Sequence, residues 1–185
     1  MHARTTLLLA LALAVSACAA DRPRVGEVDP AFSAPYALGA GDKLRVMVFG
    51  QESLTNSYTV DNAGKISMPL IGAIEARGRT TAELSLAVAA KLKTGYIREP
   101  HVAVEVETYR PFFILGEVNT AGQFAYVNGL TVESAIAVAG GYSPRASKSG
   151  AVIARTVQGQ IVHARVPLWY PIRPGDTITV EERWL

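Results

Sequence analysis

Hydrophobic and polar positions alternate with a period of two at several places along the chain, and with a helical period at two others. Leu44, Val46 and Val48 alternate with Lys43, Arg45 and Met47, which predicts a strand with one buried face. Tyr58, Thr59 and Val60, then Asp61, Asn62, Ala63 and Gly64, then Lys65, Ile66, Ser67 and Met68 read as a hairpin. Residues 69–72 end it. Thr80 and Glu83 have the spacing of a capping box, the Thr80 hydroxyl accepting from the Glu83 amide while the carboxylate reaches back. Leu84, Val88 and Leu92 then recur on one face of a helix that Gly95 closes. Val102, Val104 and Val106 alternate with Ala103, Glu105 and Glu107, predicting another half-buried strand.

The stretch 112–141 reads as strand, turn, strand, helix. An apolar run 112–115 ends at Gly116, a polar turn 119–122 follows, and a second run covers 124–127. Thr131 is the predicted N-cap of a helix over 132–139, with Glu133 in its positively polarised first turn and Gly140-Gly141 at its end. Beyond a loop at 142–147, the runs 152–157 and 161–166 flank Gln158-Gly159-Gln160 as a second hairpin. One internal echo stands out. Leu38 to Val46 aligns with Ile172 to Val180, and both segments turn on Gly-Asp before an alternating strand. Gly41 and Gly175 supply the turn, and Asp42 and Asp176 are expected to bond backbone amides two residues on. These are equivalent structural turns.

The N-terminus has a different character. Arg4 precedes a nine-residue apolar run at 7–15, too short to span a bilayer, which needs roughly 20 residues. Residues 1–17 therefore read as a targeting signal. Residues 18–35 contain Pro23, Pro30 and Pro35 without apolar periodicity, and read as a tether. The remainder divides into 36–108 and 109–185, an α+β pair of small domains with no transmembrane helix in the mature chain.

Composition narrows the chemistry. Hydrophobic residues make up 49% and charged residues 18% of the 185, an ordinary globular balance. Arg4 is the only charged residue of the first 17, so the rest carries 17 basic against 16 acidic residues. With no basic block interleaved with aromatics, nucleic acid is excluded as a partner. The single cysteine, Cys18, can form neither an internal disulfide nor a cysteine metal site. His101 and His163 sit in strand-like runs without a carboxylate cluster, so no metal or cofactor is expected. No nucleophile-elbow, Walker, dinucleotide or zinc pattern is present, and no catalytic residue is assigned.

Leu115-Gly116-Glu117-Val118, Gly122, Gly129-Leu130-Thr131-Val132 and the segment 135–141 resemble the soluble-ligand-binding β-grasp (SLBB) module. Tyr36-Ala37-Leu38-Gly39 with Gly41-Asp42, Val60-Asp61 with Gly64-Lys65-Ile66, Pro69-Leu70-Ile71-Gly72 and Pro100-His101-Val102 resemble the polysaccharide export domain. Together these cover about 36–160. The combination resembles the outer-membrane polysaccharide export lipoproteins, a Wza-like family, and within it the short xanthan-type exporters. Val15-Ser16-Ala17-Cys18 matches the lipobox of bacterial lipoproteins. That resemblance implies cleavage between Ala17 and Cys18 and acylation of Cys18, whose three chains would exceed the two-signal threshold for stable anchoring. Ala19 in place of Asp implies sorting to the outer membrane. The long exporters continue into an amphipathic C-terminal helix that forms their pore. Here the sequence ends nine residues after Asp176, which leaves the pore-forming element unassigned.

The resemblance implies a non-enzymatic conduit: a lipid-anchored, periplasm-facing homo-oligomeric ring that passes a polysaccharide and meets an inner-membrane polysaccharide co-polymerase. The alternative is a monomeric periplasmic lipoprotein that binds glycan or peptidoglycan through the β-grasp surface. Its candidate glycan contacts are Tyr126 and Tyr142. A third reading is a hydrolase using Asp42, Asp176 or Glu117 as acid and base.

Overall fold

The computed structural model describes residues 35–157 and 159–183. The targeting signal, Ala17, Cys18, all of the tether before Pro35, and Gln158 lie outside the described residues. The fold is α+β, with one hydrophobic cluster drawn from residues 38–104 and another from 112–180.

In the first cluster, β1 (Lys43–Val48) buries Leu44, Val46 and Val48 on one face, as its alternation predicts. It is the middle of a three-stranded antiparallel sheet, between β2 (Asn56–Thr59) and β5 (Val102–Thr108). The hairpin predicted from residues 58–68 does not pair that way. The tight turn exists, with Gly64 N–H donating to the Asp61 carbonyl at 2.9 Å. However, β2 gives its ladder to β1, and β3 (Lys65–Met68) pairs instead with β4 (Gly72–Glu75). Val60 explains the split. Its amide donates to Asp42 O and its carbonyl accepts from Gly41 N, both at 2.9 Å, so the chain is already committed to β1 when it enters the turn. Helix α1 (Thr81–Lys93) starts at the predicted capping box: Glu83 N–H donates to Thr80 Oγ1 at 3.2 Å and Thr80 N–H to Glu83 Oε2 at 2.8 Å. It buries Leu84, Val88 and Leu92 completely.

The second cluster is a five-stranded mixed sheet covered on one face by a short helix. Strand β6 (Phe112–Gly116) pairs with β7 (Gly122–Phe124) at the edge and β8 (Ala151–Val157) pairs with β9 (Gln160–Val166) at the other. Strand β10 (Thr177–Val180) lies between the two hairpins, parallel to β6 and antiparallel to β8. The second predicted strand, 124–127, is displaced: pairing stops at Phe124, and residues 125–127 run on as irregular chain. The register accounts for it, because Phe112 opposite Phe124 is where β6 begins, leaving nothing for 125–127 to pair with. Helix α2 (Val132–Val138) is capped by Thr131, whose side chain accepts from the Ser134 amide, and buries Val132, Ala135 and Ile136. Among the described residues no helix is long and apolar enough to cross a membrane.

Candidate functional site

The two Gly-Asp turns that the sequence aligns meet in space at the seam between the clusters. Gly41 and Gly175 have φ of 91° and 83°, a left-handed conformation that glycine adopts without the penalty a Cβ imposes. Both aspartates are buried, at 0% and 1% relative exposure. Each closes its turn backwards: Gly39 N–H donates to Asp42 Oδ2 at 2.8 Å and Arg173 N–H to Asp176 Oδ2 at 2.7 Å. The bonded amide thus lies three residues before the aspartate, where an amide two residues on was expected. The reason is that the residues after each aspartate enter β1 and β10, whose amides belong to the ladders.

A carboxylate this deep needs a charge partner as well as amides. Asp42 takes its partner from the other module. Arg110 donates from its backbone amide to Asp42 Oδ1 at 3.0 Å and from Nη1 to Oδ2 at 3.1 Å. Tyr36 adds a hydroxyl to the same Oδ2 at 2.6 Å. Burial, then this bond to Asp42, pushes the Tyr36 hydroxyl pKa far above the ordinary tyrosine range. The Arg110 guanidinium fills space that two glycines leave. A Cβ on Gly39 would overlap Arg110 Nη1, and one on Gly175 would lie 2.5 Å from Arg110 Nε. The carbonyl of Pro111 also accepts from Gly175 N–H at 2.9 Å. Arg110 is therefore clasped between the two equivalent turns, one from each module.

Asp176 is held within its own module. Arg155 Nε and Nη2 donate to Asp176 Oδ1 and Oδ2 at 2.9 and 2.7 Å, a bidentate pair with both side chains buried. Burial opposes the Arg155 charge, but the bonds to Asp176 outweigh it, and its pKa is raised. Sequence reasoning missed both arginines. For Arg155 a signal existed: in β8 it occupies the inward register of Ala151 and Ile153, and an arginine on a buried face calls for a carboxylate. For Arg110, 68 residues from Asp42, no local pattern exists.

Around this joint lies a cleft of about 380 Å³ lined by Tyr36, Gly78, Arg110, Arg155, Thr156, Arg173, Gly175 and Asp176. Three aromatic rings run beside it edge to face, Tyr36 on Tyr109 and Tyr109 on Tyr126, each pair with centroids 5.3 Å apart. Tyr126 thus packs at the joint, with its hydroxyl donating to the Ile172 carbonyl at 3.2 Å. Burial raises its pKa. Tyr142 lies elsewhere, beside the helix end. Its ring packs against the second cluster under the Lys148 ammonium, 5.6 Å from the centroid. Its hydroxyl oxygen is buried without a hydrogen-bond partner among the described residues, and burial raises its pKa.

The three carboxylates named as candidate acid and base do not form one constellation. Asp42 and Asp176 are separately ion-paired, and Glu117 is engaged by Ser143 Oγ and, at 3.3 Å, by Arg145 Nη2. Among the described residues no group of three His, Cys, Asp or Glu side chains is placed to hold a metal ion.

Residues 30–107 match the model of the polysaccharide biosynthesis/export protein family, and residues 111–163 match the SLBB domain. The exopolysaccharide production protein ExoF of Rhizobium meliloti is 34% identical over 145 residues, covering 72% of this chain and 32% of its own length. The polysialic acid transport protein KpsD of Escherichia coli is 26% identical over 165 residues, 82% of this chain and 29% of its own. The EPS I polysaccharide export outer membrane protein EpsA of Ralstonia nicotianae is 25% identical over 183 residues, 80% of this chain and 48% of its own. The chain thus spans from under a third to about half of the length of these relatives.

Proposed function

We propose that this chain, which belongs to the polysaccharide biosynthesis/export protein family, is a lipid-anchored component of an exopolysaccharide or capsule export system. Cys18 carries the lipid after cleavage behind Ala17, and the protein sits at the outer membrane facing the periplasm. Copies assemble into a ring through which the polymer passes, with an inner-membrane polysaccharide co-polymerase as partner. The protein makes and breaks no bond in this reading.

One observation supports it above the others: an export domain followed by an SLBB domain, aligned over 72 to 82% of the chain with relatives named for exopolysaccharide production, polysialic acid transport and polysaccharide export. The joint adds a physical reason. A ring of two-module subunits holds its shape only if the modules keep one relative orientation, and Arg110 clasped between two glycine turns supplies such a lock. Tyr126, packed at that joint, and Tyr142, set apart from it, are the tyrosines to test for contact with the polymer.

The test is the extracellular polysaccharide of a strain lacking this chain, beside a strain carrying Cys18→Ser. Loss of secreted polymer with the synthesis enzymes intact is the expected result for the first, and release of the protein from the membrane fraction for the second. Unchanged secretion in the absence of any redundant copy would overturn the export role. A soluble-ligand lipoprotein that binds glycan as a monomer would then take its place.

A further inference from the structure

The loop that follows α2 is pinned to the segment after β10. Ser147 N–H donates to the Glu181 carbonyl at 2.8 Å, and Arg183 N–H to the Arg145 carbonyl at 2.7 Å. Residues of both segments line a second cavity, of about 440 Å³: Tyr142, Ser143, Pro144, Ala146, Lys148 and Arg183. The carboxylates around the loop are already engaged. Arg145 pairs with Glu117 at 3.3 Å and with Glu182 at 3.2 Å, and Arg165 pairs with Glu181 at 2.7 Å. That leaves two cations on the cavity wall, Lys148 and Arg183, in no ion pair among the described residues. The Lys148 ammonium stands over the Tyr142 ring, 5.6 Å from its centroid, a contact weaker than a charge-assisted hydrogen bond. The end of α2 does not call for these charges, because its carbonyls have other donors. Thr120 N–H takes Ala139 O at 2.9 Å, Asn119 Nδ2 takes Gly140 O at 2.6 Å, and Asn119 N–H takes Gly141 O at 3.0 Å. Tyr142, on the same wall, has a hydroxyl oxygen buried without a hydrogen-bond partner among the described residues. A buried polar group left so marks a place where a partner is missing. Glu133, whose charge also reaches Tyr142, is not one of the lining residues.

Two uncompensated cations beside an aromatic ring and a proline select a ligand that is anionic at one edge and apolar on one face. A sugar acid has both, a carboxylate and a C–H face that packs on a ring. We propose that this cavity is a subsite for a carboxylate-bearing sugar unit, its carboxylate held between the Lys148 ammonium and the Arg183 guanidinium and its C–H face set against Tyr142 and Pro144. Seated there, the carboxylate draws the ammonium off the Tyr142 ring, and the sugar packs on the face the ammonium leaves. This inference rests on the reading of the chain as one that handles a polysaccharide. It adds that the polymer is acidic and that the second module touches it away from the joint.

Lys148 and Arg183 are the residues to vary, since both are exposed and neither carries the core. The full chain in detergent is titrated calorimetrically with a tetrasaccharide containing one glucuronate, and with the same tetrasaccharide after reduction of its carboxyl to the alcohol. The acidic form should bind saturably, roughly tenfold or more tightly than the reduced one, as the loss of one charge-assisted contact implies. Its affinity should fall as salt is raised. Lys148→Gln and Arg183→Gln should each weaken it by roughly tenfold without changing the circular dichroism. Arg45→Gln, which removes an exposed charge from β1 in the first module, should leave it unchanged. Equal affinity for the acidic and reduced forms overturns the proposal. So does displacement of the acidic tetrasaccharide by an equal concentration of inorganic phosphate, which would mark a site for bare anions. The comparison of the two tetrasaccharides on the unaltered protein decides the matter even if a variant misfolds. If the deletion strain loses secreted polymer while the protein ignores the acidic probe, the subsite falls and the export role stands. If the probe binds and secretion is unaffected, the export role falls and the subsite stands.

Discussion

Replacing Asp42 by Asn changes one atom at the centre of the joint and keeps the side-chain volume. The amide oxygen can take the side facing Tyr36, Gly39 and Arg110 Nη1, three donors at 2.6, 2.8 and 3.1 Å. The amide NH₂ is then forced against the Arg110 backbone N–H, which loses its acceptor at 3.0 Å. Bonds to a charged group contribute about 1.5–3 kcal/mol each and neutral ones about 0.5–1.5. Weakening three bonds and losing a fourth in a fully buried site gives about 4 kcal/mol, which is several-fold more than an exposed ion pair contributes. For a chain of this size that lowers Tm by roughly 8–16 °C. The loss should also be directional, since Arg110 belongs to the second module and Asp42 to the first. Both tryptophans, Trp169 and Trp184, fall in the sequence segment 109–185. Urea unfolding followed by tryptophan fluorescence reports that module, and far-ultraviolet circular dichroism reports both. In the unaltered protein the two transitions should coincide. In Asp42→Asn they should separate, the modules unfolding at different urea concentrations. A loss below about 1 kcal/mol with coincident transitions would refute the argument that Asp42–Arg110 couples the modules.

Other expectations follow from the same geometry. Asp176→Asn strands the buried Arg155 charge and should cost about 3–5 kcal/mol, while a double replacement of Asp176 and Arg155 by apolar residues of similar volume should recover most of it; a thermal-unfolding double-mutant cycle measures the difference. Gly116→Ala puts a Cβ onto the Val180 carbonyl oxygen at a φ of 87°, so the β6–β10 pairing must part, and the midpoint of urea unfolding should fall by an amount equivalent to about 3 kcal/mol or more. The bond from the Thr80 amide holds the Glu83 pKa below the usual carboxylate range. A lowered folded pKa means stability that is present above the unfolded value and lost as pH falls through the folded one. Between about pH 5 and pH 3 the unaltered protein should therefore lose stability more steeply than Glu83→Gln, which keeps an acceptor at every pH; parallel pH profiles would contradict it.

What could be read from the sequence was what depends on neighbours in sequence. The Thr80–Glu83 cap, the face formed by Leu84, Val88 and Leu92, and the alternation of β1 all require only spacing, and the structure has them. The Gly-Asp echo was visible for the same reason. What it leads to was not, because Asp42 finds Arg110 across 68 residues and Asp176 finds Arg155 across 21. The misread hairpin at 58–68 shows the limit from the other side. Its turn residues are genuine turn formers, but which strand a ladder goes to is decided by a competitor, β1, that local pattern cannot weigh. The early end of β7 has the same origin: Tyr126 has strand character, yet its neighbours are Tyr109 and the Ile172 carbonyl at the joint.

The place of β10 has a consequence for how the molecule is made. Residues 177–180 form the middle of the five-stranded sheet, and the domain match ends at 163, short of them. During synthesis the two flanking hairpins emerge first and have no shared ladder until residues 177–180 arrive. The second module therefore closes only when β10 inserts between pieces already made, and its barrier is set by long-range pairing. A fragment ending at residue 166 would be left as two hairpins, β6–β7 and β8–β9, with nothing between them.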